Sequence, residues 1–131
     1  MTQEAVNIAE LDPVWSRIQR DAYEVIKKEP IMGGLVHSGV LHHSSLENAL
    51  SYRMALKMSS DEMPTQILRE LIDEAYASDC LLGEAARADL MAVFERDPAC
   101  NRLIQPVLFF KGFQAVQSLS LIHISEPTRP Y

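Results

Sequence analysis

Apolar residues recur three and four positions apart along most of the chain, which predicts amphipathic helices rather than strands. The first helix is expected to begin after Asp12, a helix-capping residue type that is followed by Pro13 at the first helical position. It is expected to end at Lys27 and Lys28, just before Pro30. Lysines favour a helix carboxyl end, and a proline disfavours helical geometry in the residue before it.

The middle of the chain carries three further helix signals. The segment 31–42 is apolar but contains three glycines, which predicts a short helix in close contact with its neighbours. Ser44 and Glu47 form an S-x-x-E capping box, which predicts a helix that ends near Ser59. Pro64 is expected to start another amphipathic helix. The three glycines are Gly33, Gly34 and Gly39.

The last third of the chain continues the helical pattern. An alanine-rich segment, 81–94, is expected to be helical until Pro98 breaks it. A final helix is expected to begin at Pro106, and its pattern fades after Gln117. These elements predict an all-α fold, a bundle of about six helices, without a hairpin signal or an internal repeat.

Composition narrows the class of protein. The chain has 131 residues, 47% of them hydrophobic, which is enough for one domain with a real core. Twelve basic and eighteen acidic residues give a net charge of -6, which argues against nucleic-acid binding. No signal sequence or apolar run of about 20 residues is present, so we expect a cytoplasmic protein without a membrane partner. Cys80 and Cys100 match no metal or redox spacing, so reduced thiols and no metal site are expected.

Four segments carry a resemblance to a known family. They are ENALSYRMALKMSSDEMP (47–64), EAYASD (74–79), ERDPA (95–99) and PVLFFKGFQAVQ (106–117). In this order and spacing they resemble the amino-terminal helical domain of bacterial serine acetyltransferases, which serves there as an oligomerisation domain. The resemblance is close over 46–117 and looser over 14–40.

The resemblance also divides the chain. In the family, the last segment leads into a left-handed β-helix of hexapeptide repeats, where acetyl transfer occurs, but no such repeat follows here. The chain ends LSLIHISEPTRPY (119–131), which resembles a translated sequencing-library adapter; a natural short tail is the alternative. We therefore expect a flexible segment 1–11, the family's helical domain over 12–118 and a non-native or disordered tail over 119–131, with the β-helix domain missing.

Asp97, in the ERDPA segment, is the one functional residue that the resemblance implies. The matching aspartate of the family helps to hold the serine substrate, and a carboxylate is suited to accept hydrogen bonds from a substrate ammonium. The alternative is that Asp97 only caps the turn before Pro98. The family's catalytic histidine and the aspartate that orients it lie in the missing domain. We therefore expect no catalytic residue here, and an inactive fragment, because a hydroxyl nucleophile requires a base.

Other candidate residues receive structural interpretations. Adjacent histidines on a helix point in different directions, so the four histidines are expected to be structural or solvated. The six methionines, at helical spacing, are expected to fill the core. Lys111 and Gly112 match a lysine-glycine pair of the family, where the glycine permits close packing. The histidines are His37, His42, His43 and His123, and the methionines include Met54, Met58 and Met63.

The resemblance implies a serine O-acetyltransferase, which makes O-acetyl-L-serine and CoA from acetyl-CoA and L-serine in cysteine biosynthesis. It implies acetyl-CoA as the co-substrate of the full-length enzyme, with no cofactor bound by this fragment. It also implies a hexamer built as a dimer of trimers, and O-acetylserine sulfhydrylase as a partner of the full-length protein. The alternatives are a non-catalytic helical oligomerisation module and, last, an unrelated helical adaptor.

Overall fold

A computed structural model describes residues 12–124 of the protein, with side chains as far as residue 121. Within this range the regular structure is entirely helical, which confirms the all-α prediction. None of the described helices is long and apolar enough to cross a bilayer. The elements are α1 (Pro13–Lys28), a 3-10 turn (Pro30–Met32), α2 (Gly33–Val36), a π-helical turn (His37–Leu41), α3 (Leu46–Met58), α4 (Thr65–Ser78), α5 (Cys80–Arg96), α6 (Ile104–Phe109) and α7 (Lys111–Ile124).

Helix α1 begins and ends where its local signals place it. The Asp12 carboxylate accepts a hydrogen bond from the Trp15 amide at 3.2 Å, and Pro13 occupies the first helical position. Lys28 is the last helical residue, two positions before Pro30. These signals depend only on neighbouring residues, which is why the sequence alone suffices to locate the helix.

The prediction of a capping box at the start of α3 is wrong by one residue. The hydroxyl of Ser45, not that of Ser44, accepts a hydrogen bond from the backbone amide three positions on, at 3.2 Å. Glu47 is then the second helical residue rather than the third, and its carboxylate binds the Arg87 guanidinium. The predicted end of this helix is confirmed, since Ser59 follows the last helical residue.

The glycine-containing segment forms three short helical pieces rather than one helix. A Cβ atom added at Gly39 would lie 2.7 Å from Nη2 of Arg53 and 2.8 Å from Cδ2 of Leu108. Close contact is therefore confirmed at Gly39. The predicted close contact is wrong at Gly33 and Gly34, where an added Cβ would meet none of the described residues within 4 Å.

The helix expected over 106–117 is two helices, because Phe110 takes an extended conformation with ψ of 102° between α6 and α7. The interruption frees the carbonyl of Val107 from the helical ladder. The buried Gln114 side chain compensates by donating from Nε2 to that carbonyl at 2.9 Å. Helix α7 then continues to Ile124, past the expected end at Gln117.

The length of α7 has a physical reason in its last turns. Leu121 is 7% exposed and belongs to the main core, so burial favours continuing the helix. The hydroxyls of Ser118 and Ser120 bond back to carbonyls four residues earlier. The expected segment 1–11 and the tail residues 125–131 lie outside the described residues.

One apolar core joins all the long helices, and α3 and α4 make its most extensive helix pair. Of the predicted core methionines, Met54 is 1% exposed, but Met58 and Met63 are 40% and 38% exposed and lie at the surface. The predicted apolar face of α4 is likewise divided. Ile72 and Tyr76 are buried, whereas Ile67 and Leu71 are about half exposed. The largest fully buried side chains belong to other parts of the core and include Ile18, Leu46, Leu50, Leu90, Leu103, Ile104 and Val107.

Candidate functional site

Asp97 begins the turn that joins α5 to α6. Its amide still bonds to the Val93 carbonyl at 2.9 Å, and its extended ψ of 111° ends the helix. Its carboxylate oxygen Oδ1 accepts a hydrogen bond from the Ala99 amide at 2.9 Å, and its carbonyl accepts one from the Cys100 amide at 2.9 Å. Asp97 thus does cap the turn around Pro98, as the alternative interpretation expected.

The same carboxylate also borders open space. Asp97 is half-buried and lines a groove of about 680 Å³ between α5 and α7. The groove walls are mainly apolar, with Val93 on α5 and Phe113 and Val116 on α7. Oδ1 is the only Asp97 side-chain atom with a hydrogen bond among the described residues. Oδ2 is therefore available to a cationic group that enters the groove.

Two further charged residues share this groove, and neither was identified as a site residue from the sequence. Asp89 lies on α5, eight residues before Asp97, and Lys111 lies at the start of α7. Asp89 already has a hydrogen-bond partner, since its Oδ2 accepts a hydrogen bond from the buried Gln117 side chain at 2.8 Å. The eight-residue spacing alone does not place the two aspartates together, because Asp97 lies just after the end of α5; both border the groove only once α5 and α7 have packed.

Gly112 does not have the role that the resemblance implied for it. A Cβ atom added there would meet no atom of the described residues within 4 Å, so Gly112 makes no close helix contact within that part of the chain. Gly112 instead lines the groove beside Lys111. The absence of a side chain keeps this part of the groove open.

The largest polar network is centred on Arg87 and lies away from the groove. Its guanidinium donates to both carboxylate oxygens of Asp12 and to both of Glu47, at 2.7 to 3.1 Å, and to the Gly83 carbonyl at 2.9 Å. Burial opposes ionisation of Asp12, but the hydrogen bonds from Arg87 and from the Trp15 amide outweigh it, so the pKa of Asp12 is lowered. The network joins α1, α3 and α5, and its role is structural.

His43 is the one buried histidine whose surroundings the structure describes, at 5% exposure. Its Nε2 lies 2.9 Å from the Ser38 carbonyl and donates to it, which leaves Nδ1 to accept from the Arg69 guanidinium at 3.4 Å. His37 and His42 are exposed. Among the residues with described side chains, no three His, Cys, Asp or Glu residues are grouped to hold a metal ion.

A sequence model of the family described as "Serine acetyltransferase, N-terminal" matches residues 14–118 of this chain. A serine acetyltransferase of Haemophilus influenzae is 41% identical over 110 residues, which cover 84% of this chain and 41% of that protein. The region matched by the family model includes every residue that lines the groove.

Solved structures agree with the sequence comparison. Serine acetyltransferase from Brucella abortus strain S19, in complex with coenzyme A, superposes with a TM-score of 0.82 at 32% identity, covering 89% of this chain and 47% of that one. Serine acetyltransferase of Neisseria gonorrhoeae, in complex with serine, gives a TM-score of 0.79 at 35% identity, covering 84% of this chain and 46% of that one. The chain thus spans less than half the length of the relatives that it matches.

Proposed function

The chain belongs to the serine acetyltransferase family, and from that premise we propose that it is the amino-terminal helical domain of an enzyme that acetylates the hydroxyl of L-serine. The domain is proposed to comprise residues 12–118. The co-substrate is acetyl-CoA and the products are O-acetyl-L-serine and CoA, an early step of cysteine biosynthesis. The relatives solved with coenzyme A and with serine support this choice of substrates.

The observation that carries the proposal for this chain is the position of Asp97. Its carboxylate is half-buried at the wall of the groove and has one oxygen without a hydrogen bond among the described residues. We propose that this oxygen accepts a hydrogen bond from the ammonium group of serine. A charge-assisted bond of this kind is about twice as strong as a neutral one. Asp97 would therefore bind substrate while the same side chain holds its own turn.

Acetyl transfer needs groups beyond the described helices. A serine hydroxyl is a weak nucleophile at its own pKa and requires a general base to take its proton. The family places that base in the β-helix domain. We therefore propose that the 131-residue chain, purified alone, releases no CoA from acetyl-CoA in the presence of L-serine. Serine-dependent release of CoA by this chain would contradict the proposal.

The substrate role of Asp97 is tested by Asp97→Asn in the enzyme expressed from the complete parental gene. Asparagine keeps a side-chain oxygen that accepts from the Ala99 amide, so the turn is retained while the charge is lost. Losing a hydrogen bond to a charged group costs about 1.5–3 kcal/mol, so the KM for serine should rise about 10- to 100-fold. The KM for acetyl-CoA should not change.

The matched control for this test is Asp61→Asn, which removes one carboxylate from an exposed loop before α4. It should leave both KM values at their wild-type levels. An Asp97→Asn enzyme with an unchanged KM for serine would show that Asp97 only caps its turn.

A second proposed role is assembly, and exposed apolar side chains on the last two helices favour it. Phe109, Val116 and Leu119 are 48%, 50% and 65% exposed, and the last two lie three residues apart on one side of α7. Such surface is suited to contact with another copy of the chain, as in the hexamer that the family resemblance implies. We extend the proposal to a cytoplasmic enzyme that binds O-acetylserine sulfhydrylase through parts outside this chain.

Light scattering tests the assembly role with the chain as it is. Its monomer mass is 14.7 kDa, and we expect a larger mass that falls toward this value when Val116→Lys is introduced. Lys111→Gln, on the same helix, is the control and should leave the mass unchanged. A wild-type chain that stays monomeric at high concentration would remove the assembly role without affecting the substrate role of Asp97.

A further inference from the structure

Three arginines meet in a polar cavity on the side of α1 that faces the turn between α5 and α6. The cavity has a volume of about 580 Å³, within the size range of small-ligand sites. We call it the arginine pocket, and its lining residues are Arg17, Arg20, Asp21, Glu24, Asn101 and Arg102.

Each of the two carboxylates that line the arginine pocket already accepts a hydrogen bond from another residue. Asp21 is 7% exposed, and its Oδ2 accepts a hydrogen bond from the Leu103 amide at 2.9 Å, just before α6 begins. Glu24 pairs with Arg102, whose Nη1 lies 2.6 Å from Oε2. The cavity therefore holds three guanidinium groups and at most two negative charges; Asp21 also attracts Arg17, but beyond ion-pair distance.

Arg17 and Arg20 have no carboxylate within 4.0 Å among the described residues. Arg17 is nevertheless held in place, because its guanidinium lies over the Phe94 ring at 4.7 Å from the centroid. Arg102 is held by Glu24. The pocket thus presents two guanidinium groups with unused donors beside a third that is already oriented, and the planar fork of a guanidinium matches an oxyanion.

We propose that the arginine pocket binds a small multivalent oxyanion of the phosphate or sulfate class. Arg17 and Arg20 supply its main hydrogen bonds, and Asn101, which also lines the pocket, can add its side-chain amide as a further donor. The net charge of -6 repels anions at long range, so binding depends on these short-range contacts. Because Asn101 and Arg102 belong to the same turn as Asp97, a bound anion would also hold that turn.

The proposal is tested by calorimetric titration of the 131-residue chain with sodium phosphate and, separately, sodium sulfate, at a constant ionic strength set with sodium chloride. Saturable binding of both anions is expected, with the amide resonances of Asn101 and Arg102 shifting in parallel titrations followed by NMR. Arg20→Gln should weaken binding about tenfold, which corresponds to one hydrogen bond to a charged group. Arg20→Lys keeps the positive charge but loses the planar fork of the guanidinium. Its affinity for phosphate should therefore lie between those of the wild-type chain and Arg20→Gln.

Lys28→Gln is the control, because it removes one positive charge from an exposed position of the same helix outside the arginine pocket. It should bind phosphate as the wild-type chain does. The proposal is overturned if binding does not saturate above the chloride background, or if Lys28→Gln weakens it as much as Arg20→Gln. The titration does not involve acetyl transfer, so its outcome is separate from that of the proposed function.

Discussion

The guanidinium of Arg87 donates to both carboxylate oxygens of Asp12, from Nε to Oδ1 at 3.1 Å and from Nη2 to Oδ2 at 2.7 Å. These residues are 75 positions apart, so the pair joins the start of α1 to the middle of α5. Asp12 at the same time caps α1 through the Trp15 amide. One carboxylate therefore fixes both the end of a helix and its position in the bundle.

Replacing Arg87 by methionine should lower the free energy of unfolding by about 2 to 4 kcal/mol. The substitution leaves the carboxylates of Asp12 and Glu47, both partly buried, without their shared cation. Arg87→Lys should lower the free energy of unfolding by less than the methionine variant does, because lysine keeps the charge although it cannot bind both carboxylates at once. Urea denaturation followed by the fluorescence of Trp15 measures the change. A loss below 0.5 kcal/mol, within the roughly 0–1 kcal/mol range of exposed pairs, would show that solvent screens the network.

His43 should make stability depend on pH in mildly acidic solution. Burial lowers its pKa, the hydrogen bond to the Ser38 carbonyl partly opposes this, and nearby Arg69, His42 and Arg53 add to the lowering. The unfolded chain therefore binds the proton more readily than the folded one. The contribution of neutral His43 to the free energy of unfolding is complete above the ordinary histidine pKa of about 6.5. It is lost as the pH falls below that value toward the lower pKa of His43 in the folded chain.

Unfolding free energies at pH 7.0 and pH 5.5 test this dependence. Protonation at Nδ1 would place a proton opposite the Arg69 guanidinium, which already donates to that atom. His43→Gln should show a smaller loss over this interval than the wild-type chain. His42→Gln changes an exposed neighbour and should keep the wild-type difference. Equal pH dependence in the His43 and His42 variants would refute the assignment.

Two glycines in the same short segment should respond in opposite ways to substitution by alanine. Gly34 is helical, has a negative φ, and an added Cβ would meet no described residue within 4 Å, so Gly34→Ala should raise the free energy of unfolding by about 0.5–1 kcal/mol. Gly39→Ala forces Arg53 and Leu108 to move and should lower it by about 1–3 kcal/mol. Thermal unfolding of the two variants side by side measures both signs. Stabilisation by Gly39→Ala would mean that these two flexible side chains move at little cost.

The sequence was sufficient wherever the signal was local. Asp12 and Pro13 locate the start of α1, and Ser59 marks the end of α3, because capping depends on residues a few positions away. The capping box expected at Ser44 is wrong because the adjacent Ser45 caps the helix, and its glutamate has a distant partner. Its glutamate, Glu47, binds an arginine 40 positions further along, and a long-range partner of this kind has no local signature.

The division between α6 and α7 was also beyond local reasoning. Phe110 interrupts the helix although the apolar pattern continues through it, and among the described residues the freed Val107 carbonyl finds its donor in the buried Gln114 side chain. Similarly, Asp97 was identified through family resemblance, whereas Asp89 and Lys111 join it in the groove only after the helices have packed. Folding supplied the part of the candidate site that depends on tertiary contacts.

The central claim is that these helices are the amino-terminal part of a serine acetyltransferase. Long-read sequencing of the parental locus across the codons for Val116 to Leu121 tests it most directly. We predict that the genomic reading frame continues beyond these codons into hexapeptide repeats that carry a histidine base. A genomic frame that stops after the codon for Tyr131 would contradict the enzyme assignment and would leave a stand-alone helical assembly module.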